Sequence, residues 1–365
     1  MRSFILISST CIFLFLCICS CQNPRREDDR KTVETTLSGT RMQSDILMGR
    51  AFICTKDDDI FMRSFYPDSI AIIYSMSGDS LKRVRSFGIK GRGPFEFNDY
   101  PAFYFKEDSL YIMDESRIGD MLKLTVAGID DIRNNDGYEN WKEYDLQWLN
   151  PFMSGMSFAP VDSRHFLVLG DEHGKENLLT EIDIREKRKH PSEYWIADDY
   201  SGPAIPKQAI YLSNSEIAIN DSLLVFAAGE GRYMEILRLG ADGSLSHRCS
   251  IYDIPPVYEA TPDGLNYKPV IPSYRGMDIR ATERFIYAVL NQYNPEYKEY
   301  KGYPWYCSDE VEVYGWNGDF ITCFATDTPF YDFIVSDDDK TLLTITQDPA
   351  SGEPAIYRYA LRFSE

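Results

Sequence analysis

One short pattern recurs along this 365-residue chain: a polar turn pair, usually with Asp or Ser, followed directly by a short apolar run. Asp and Ser side chains hydrogen-bond to nearby backbone and favour turns, whereas the β-branched and aromatic residues of the runs favour strands. From the second turn onward, successive turns are 54 to 62 residues apart, a spacing typical of blade arrays. The six turns begin at Asp68, Asp108, Asp162, Asn220, Thr282 and Asp339.

A second strand follows most of these runs, for example at residues 121–126, 179–184 and 234–239. The clearest hairpin has Asn317-Gly318 between two alternating runs, and this dipeptide favours a type I′ turn with positive φ at both positions. Six units of about fifty residues predict an all-β, six-bladed β-propeller whose blades have about four antiparallel strands. The competing architecture is one or two large β-sandwiches, but a sandwich gives no reason for six copies of one unit.

The two ends of the chain also contain predicted strands, at residues 46–52 and 355–361. Pairing of N- and C-terminal strands within one blade would close the ring and remove open sheet edges. The first interval, from Asp68 to Asp108, is shorter than the others and fits a blade divided in this way.

The N-terminus has the order of a secretory signal: a charged start at Arg2, an apolar run over residues 4–18, and small Ser20. Because Cys21 follows, the segment resembles a bacterial lipoprotein signal peptide, and the resemblance implies that Cys21 is acylated. The apolar run is shorter than the roughly 20 residues of a spanning helix. An ordinary cleaved signal and an uncleaved anchor are the alternatives.

These features predict three segments. Residues 1–20 are the signal peptide, residues 21–44 are a flexible, polar tether after the lipidated cysteine, and residues 45–365 are the propeller. The protein is expected to be exported to the cell envelope and anchored by lipid, with the outer membrane favoured and its inner or outer side left open.

The formal charge of the chain is −19, which becomes −20 when Arg2 is lost with the signal. A field of this sign repels nucleic acid, so no nucleic-acid partner is expected. Four cysteines remain in the mature chain besides Cys21, at irregular spacings without a C-x-x-C motif: Cys54, Cys249, Cys307 and Cys323. Free buried thiols are expected, although one disulfide of unassigned pairing is compatible with an oxidising compartment.

A glycine-rich motif occupies residues 91–97 (GRGPFEF) and precedes the strand that begins near Ser109. Over about residues 87–124 the chain resembles one NHL-type propeller repeat, and as a whole it resembles the TolB-like six-bladed propeller lipoproteins. The motif does not recur in the other blades. The resemblance implies the fold and the location. If the loop is functional, Arg92 and Glu96 lie on the face where propellers usually bind ligands. The alternative role of these two residues is to brace the loop.

The sequence contains no catalytic spacing that can be assigned. There is no G-x-S-x-G, no H-E-x-x-H and no phosphate-binding loop, and the four histidines have no metal-ligand spacing. No catalytic residue, metal site or cofactor is therefore predicted. Whether the protein is an enzyme stays open, with a non-enzymatic role favoured.

An aromatic segment at residues 293–306 is too polar for a core strand and too aromatic for an ordinary loop. Exposed Tyr and Trp are favoured in binding surfaces, so Tyr303, Trp305 and Tyr306 are candidate ligand-binding residues. Covering of a blade edge is an equally acceptable role. We expect a binding or assembly module for a glycan, a peptide or an envelope protein; the alternative is a calcium-dependent hydrolase resembling lactonases.

Overall fold

The computed structural model describes residues 32–44, 47–115, 122–134, 137–149, 157–170, 177–240, 243–270, 276–290, 299–300, 303–304 and 306–363. The chain divides into two compact units, Met1–Thr32 and Val33–Glu365. The second unit contains every described strand. The predicted signal peptide and Cys21 lie outside the described residues.

The chain enters the second unit with two short strands, β1 (Thr35–Leu37) and β2 (Thr40–Arg41). Three blades follow. The strands of the first are β3 (Gly49–Lys56), β4 (Asp59–Ser64), β5 (Ser69–Ser77) and β6 (Ser80–Lys90), with the short β7 (Glu96–Phe97) beside β6. The second contains β8 (Ala102–Lys106), β9 (Ser109–Glu115), β10 (Leu122–Gly128) and β11 (Lys142–Asp145), with helix α1 (Ile129–Asn134) before β11. A 3-10 turn, Gln147–Leu149, precedes the third blade, formed by β12 (Phe158–Pro160), β13 (His165–Leu169), β14 (Leu179–Asp183) and β15 (Arg188–Pro191).

Helix α2 (Ala204–Leu212) leads to the fourth blade, formed by β16 (Glu216–Asn220), β17 (Leu223–Ala227), β18 (Arg232–Leu239) and β19 (Leu245–Ile254). A small hairpin of β20 (Tyr258–Ala260) and β21 (Tyr267–Pro269) precedes the fifth blade. That blade contains β22 (Met277–Ala281), β23 (Phe285–Leu290), β26 (Ser308–Gly315) and β27 (Phe320–Phe330), and a second small hairpin, β24 (Glu299–Tyr300) with β25 (Tyr303–Pro304), interrupts it. The sixth blade contains β28 (Asp332–Val335), β29 (Thr341–Gln347) and β30 (Pro354–Ala360).

Within each blade, consecutive strands pair antiparallel in chain order, except that the short β7 pairs parallel with β6. The first strands of neighbouring blades contact one another in a complete circle, from β3 through β8, β12, β16, β22 and β28 back to β3. These six strands therefore line the centre, and the fold is the predicted six-bladed β-propeller.

Six hydrophobic clusters hold the blades together, one at each interface between neighbours. A strand in a middle layer contacts two blades at once, so both of its faces are buried. Residues 71–74 in β5 are fully buried for this reason, and the strand reads as a continuous apolar run rather than an alternating one. The cluster between the last and first blades, with Phe52 and Ile345 among its members, completes the circle.

The N-terminal segment closes the ring along its outer edge. Strand β1 pairs parallel with β27 of the fifth blade, and β2 pairs antiparallel with β30 as the fourth strand of the sixth blade. Gln43 then bridges to Ser80 of the first blade. We call residues 34–43 the N-terminal strap, because it crosses the edges of three blades.

The strap corrects two details of the sequence analysis. The ring closes by pairing of N- and C-terminal strands, as predicted, but residues 46–52 do not make this pair, because Gly49–Lys56 is the innermost strand of the first blade. Strands β1 and β2 instead lie within the predicted tether. That segment is mostly polar, and within its described part, residues 32–44, only Leu37 and Met42 are buried. Its own composition therefore gives little sign of a strand.

The chain order assigns the loops to two faces. The upper face carries the loops that lead from one blade to the next and the loops between second and third strands. The lower face has the turns between first and second strands and between third and fourth strands. The upper face therefore includes the described residues 91–101, 192–215, 255–270, 276, 299–300, 303–304 and 306–307.

Candidate functional site

A cavity of about 1130 Å³ follows the central channel. Its lining extends from upper-face loop residues such as Arg92 and Asn214 to the lower ends of the innermost strands at Thr55 and Asp337. Each innermost strand lacks a sheet partner on the channel side, so some of its backbone N–H groups need side-chain acceptors. The N–H of Phe52 donates to Asp332 Oδ2 at 2.6 Å, and that of Ile279 donates to Glu216 Oε2 at 2.6 Å.

Arg280 connects three blades inside the channel. Its Nη2 donates to Asp332 Oδ1 at 2.9 Å, and its Nη1 lies 3.3 Å from Glu216 Oε1. Burial raises the pKa of Asp332, and the opposing effect of Arg280 does not cancel it. Burial would lower the pKa of Arg280, but the neighbouring Glu216 and Asp332 raise it. Both carboxylates are thus committed to Arg280 and to backbone N–H groups, which makes this network a structural tie across the channel.

A second group of cations surrounds the loop that leads into β8. Arg63 Nη1 donates to the Pro101 carbonyl at 2.6 Å, and Arg50 Nη2 donates to the Asp99 carbonyl at 3.5 Å. Arg92, which belongs to this loop, is exposed and lines the cavity. We call Arg50, Arg63 and Arg92 the arginine cluster.

The environment of Arg63 is unusual for a guanidinium. It stacks over the Phe103 ring, 4.9 Å from the centroid. Burial, and then repulsion by Arg50, lowers the pKa of Arg63 to about 10. It remains charged at neutral pH, and its hydrogen-bond partner is a carbonyl rather than a carboxylate.

Glu96, a predicted ligand-binding residue, braces its own loop. Its Oε2 accepts a hydrogen bond from the Gly93 N–H at 2.7 Å. A Cβ at position 91 would overlap the Glu96 carboxylate, so Gly91 permits this close approach. The bracing role considered from sequence fits this geometry, whereas Arg92 faces the cavity.

The aromatic segment is described only in part. Tyr303 begins β25, and Trp305 lies outside the described residues. Tyr306 is 41% exposed, and its ring packs edge-on against Tyr331 at 6.0 Å. Since Tyr303 and Tyr306 lie between β23 and β26 in the chain, these two residues belong to the upper face together with Arg92. A ligand-binding role for these residues stays a prediction.

Exposed apolar side chains are concentrated on the upper face. Among the described residues, nine large apolar side chains are exposed. Six of the nine lie on upper-face loops: Phe65, Tyr100, Val257, Leu265, Val270 and Tyr306. The other three, Val84, Ile89 and Ile321, lie on the fourth strands of the first and fifth blades, β6 and β27. No exposed large apolar side chain lies on a lower-face turn in the described part of the chain.

Cys54, Cys249, Cys307 and Cys323 are free thiols in this structure. Across the described ranges, no group of three or more His, Cys, Asp or Glu side chains is placed to hold a metal ion. No helix among the described residues is long and apolar enough to cross a membrane.

Sequence reasoning missed the channel residues Glu216, Arg280 and Asp332 and the cluster residues Arg50 and Arg63. One pattern offered a clue. In β22, Asp278 and Arg280 alternate with buried Met277 and Ile279, as expected of a strand with one face on a polar channel.

Two solved structures share this architecture at low sequence identity. One is a protein from Bacteroides fragilis described as exported, with 13% identity and a TM-score of 0.51; the match covers 90% of this chain and 95% of that one. The other is a DUF4221 family member from Bacteroides vulgatus, with 9% identity and a TM-score of 0.50; the match covers 92% and 99%. At these identities the likeness concerns the fold.

A search of the curated proteins finds no match. The model of the TolB-like six-bladed propeller family matches residues 31–338, which is most of the sequence and includes the strap and the channel residues described above. The chain belongs to the TolB-like six-bladed propeller family.

Proposed function

We propose that this protein is an exported, lipid-anchored binding or assembly module that holds a peptide or protein partner of the cell envelope on its upper face. The lipoprotein-like N-terminus supports the anchor at Cys21, and the outer membrane is the proposed location. The proposal assigns no chemical step to the propeller.

The observation that carries this proposal is the one-sided distribution of exposed apolar groups. Single exposed apolar residues are normal anywhere on a protein surface, whereas their concentration on one face favours that face as an interaction site. Here six such side chains share the face on which the arginine-lined cavity opens.

The chemistry of these side chains favours a protein or peptide over a glycan. Sugars stack on aromatic rings, but Val257, Leu265 and Val270 are aliphatic and are 62%, 59% and 38% exposed. An aliphatic side chain contributes more binding free energy against an apolar side chain than against a sugar, because binding then removes two apolar surfaces from water. Tyr100 and Tyr306 suit either ligand.

Site-specific photo-cross-linking in intact cells tests this proposal. A benzoylphenylalanine at Tyr100 or Leu265 should give a defined adduct with one envelope protein. The same group at Glu283, an exposed lower-face position, is the matched control. Adducts of equal yield at both faces, or at Glu283 alone, would contradict the proposal.

The aromatic segment has its own test within the same experiment. Replacing Tyr303, Trp305 and Tyr306 with Ala should weaken partner binding by more than about tenfold, because buried aromatic residues dominate interface energies. Thermal unfolding of the variant is the control for the integrity of the ring. Unchanged cross-linking would remove this segment from the proposed interface.

A further inference from the structure

The arginine cluster is a concentration of positive charge in a chain whose formal charge is −19. None of its three guanidinium groups is in an ion pair with a carboxylate of the described residues: Arg50 and Arg63 donate to backbone carbonyls, and Arg92 lines the cavity. The nearby Asp99 is already paired, since its Oδ1 lies 3.3 Å from Lys90 Nζ. Arg63 and Arg92 line the cavity, and Arg50 lies against the cavity residue Tyr100, so the cluster retains its charge beside the channel.

The geometry leaves donors free on these groups. Arg50 stacks over the Tyr100 ring at 4.5 Å and Arg63 stacks over Phe103 at 4.9 Å. Stacking engages the flat face of a guanidinium and leaves N–H groups at its edge available for a planar, bidentate acceptor. The rings also fix the position of the cation, so a ligand loses less side-chain entropy on binding.

The surroundings favour a singly charged acceptor. Glu216 and Asp332 share the single positive charge of Arg280, and Asp337 lines the same cavity. The remaining negative charge would repel a phosphate dianion more strongly than a carboxylate. A carboxylate also matches the planar fork of an arginine. The arginine cluster is thus suited to a carboxylate on a ligand that enters from the upper face.

We propose that the arginine cluster is an anion site that receives a carboxylate of the bound peptide segment, so that acidic or free C-terminal groups enter the channel mouth while apolar groups contact the loops around it. This inference rests on the proposed function and specifies the class of its ligand. The aliphatic side chains of the upper face favour a peptide carboxylate over a sugar acid.

The test uses the full-length protein purified in detergent and four small probes measured by calorimetry: tri-glutamate, tri-glutamine, tri-galacturonate and inorganic phosphate. Tri-glutamate should bind at least about tenfold more tightly than tri-glutamine, since hydrogen bonds to charged groups are the strong ones. Binding should weaken as salt is raised, because the site is open to solvent.

Two variants and one control locate the site. Arg92→Gln removes an exposed cavity arginine without removing an internal hydrogen bond, and it should weaken tri-glutamate binding by about tenfold. Arg63→Gln should have a similar effect, and its melting temperature shows whether the loss of the Pro101 contact disturbs the fold. Arg188→Gln, on exposed outermost strand β15, should bind as the unmodified protein does.

Several results would overturn the inference. These are equal binding of tri-glutamate and tri-glutamine, no saturable binding of tri-glutamate up to about 10 mM, or unchanged binding by the Arg92→Gln variant. Tighter binding of phosphate or tri-galacturonate than of tri-glutamate would assign the site to a different ligand class and overturn the peptide assignment. Each of these failures leaves the cross-linking pattern of the upper face intact, so the two proposals can fail separately.

Discussion

Asp183, at the end of β14, shows how single residues fix the lower-face turns. Its Oδ1 and Oδ2 both accept from Arg164 Nε at 2.8 Å, and Oδ1 accepts from the backbone N–H groups of Arg185 and Glu186 at 2.9 Å. The hydrogen bond from Arg164, followed by those from the backbone, holds the pKa of Asp183 well below its usual range.

A depressed carboxyl pKa gives a stability contribution with a defined sign. The contribution is fully present above the unfolded-state pKa, about 3.9 for Asp, and is lost as the pH falls toward the folded-state pKa. We expect Asp183→Asn to lower the free energy of unfolding at pH 7 and to lower it less at pH 3. Urea unfolding at several pH values measures this, and a deficit that is constant over pH would contradict the assignment.

At Gly276, the close approach of a neighbouring backbone segment requires glycine. Its φ is +81°, and a Cβ there would overlap the backbone of Ala228 and Gly229. Gly78 has a comparable φ of +58° but open space around the added atom.

The two glycines make a matched pair for mutagenesis. Gly78→Ala should cost about 1 to 2 kcal/mol through the left-handed conformation alone. Gly276→Ala should cost roughly 1 to 3 kcal/mol more, because the backbone must move to admit the methyl group. Equilibrium unfolding of both variants tests this, and equal costs would show that the overlap is relieved without strain.

For single residues, the sequence predicts contacts between near neighbours in the chain well and contacts between distant residues poorly. The turn residues were predictable because their partners are near in sequence: the Asp162 side chain accepts from the N–H groups of Arg164 and His165 at 2.7 and 2.8 Å. The partners of Arg280 lie more than fifty residues away on other blades. Sequence periodicity does not identify such pairs.

At the scale of elements, the N-terminal strap ties the seam of the ring. Leu37 is buried in the cluster between the fifth and sixth blades, and Met42 in the cluster between the sixth and first. The strap also covers outer strands that would otherwise be open edges. A fragment that contains the complete propeller should therefore begin near Val33 rather than at residue 45, the start predicted from the sequence.

A substitution within the strap tests its contribution. Leu37→Ala should lower the free energy of unfolding by about 2 to 4 kcal/mol, as expected for removal of a buried leucine side chain. Thr36→Ala, on the exposed side of the same strand, is the control and should have little effect. Equal stability of both variants in chemical denaturation would show that the strap is not part of the cooperative unit.

Two turns differ from those predicted from the sequence. The turn at Asp68 precedes the third strand of the first blade, whereas the later turns precede second strands. The equivalent first-blade turn lies at Asp57, where φ is +51°, and this explains the short first interval without a divided blade.

The second of these turns contains Asn317-Gly318 and joins β26 to β27. Only Gly318 has a positive φ, so the predicted type I′ turn is wrong. Strand β26 ends at Gly315 and β27 begins at Phe320, which leaves a four-residue loop. Trp316 is withdrawn from the strand because its Nε1 donates to the Thr282 carbonyl at 3.0 Å. A long-range contact of the tryptophan thus overrides the local turn preference.

At the scale of the whole molecule, the repeated unit was sufficient to predict six blades. Each turn and apolar run specifies two neighbouring strands, and strands with both faces buried must stack into an array of blades. The site was less predictable. Its cavity arises only when six innermost strands meet, and of the arginine cluster only Arg92 lies in a recognisable motif.

Cysteine labelling measures directly which face of the ring is covered in the native membrane. Leu265→Cys places a thiol on the upper face, and Glu283→Cys places one on the lower face. The native thiols should give little background, because burial raises the pKa of Cys54 and Cys249 and raises that of Cys307 and Cys323 to about 12.

Maleimide labelling rates are then compared between isolated membranes and purified protein. We expect position 265 to be labelled at least about tenfold more slowly in membranes, because a bound partner excludes the reagent. Position 283 should be labelled at the same rate in both. Equal rates at position 265, or protection confined to position 283, would contradict binding through the upper face.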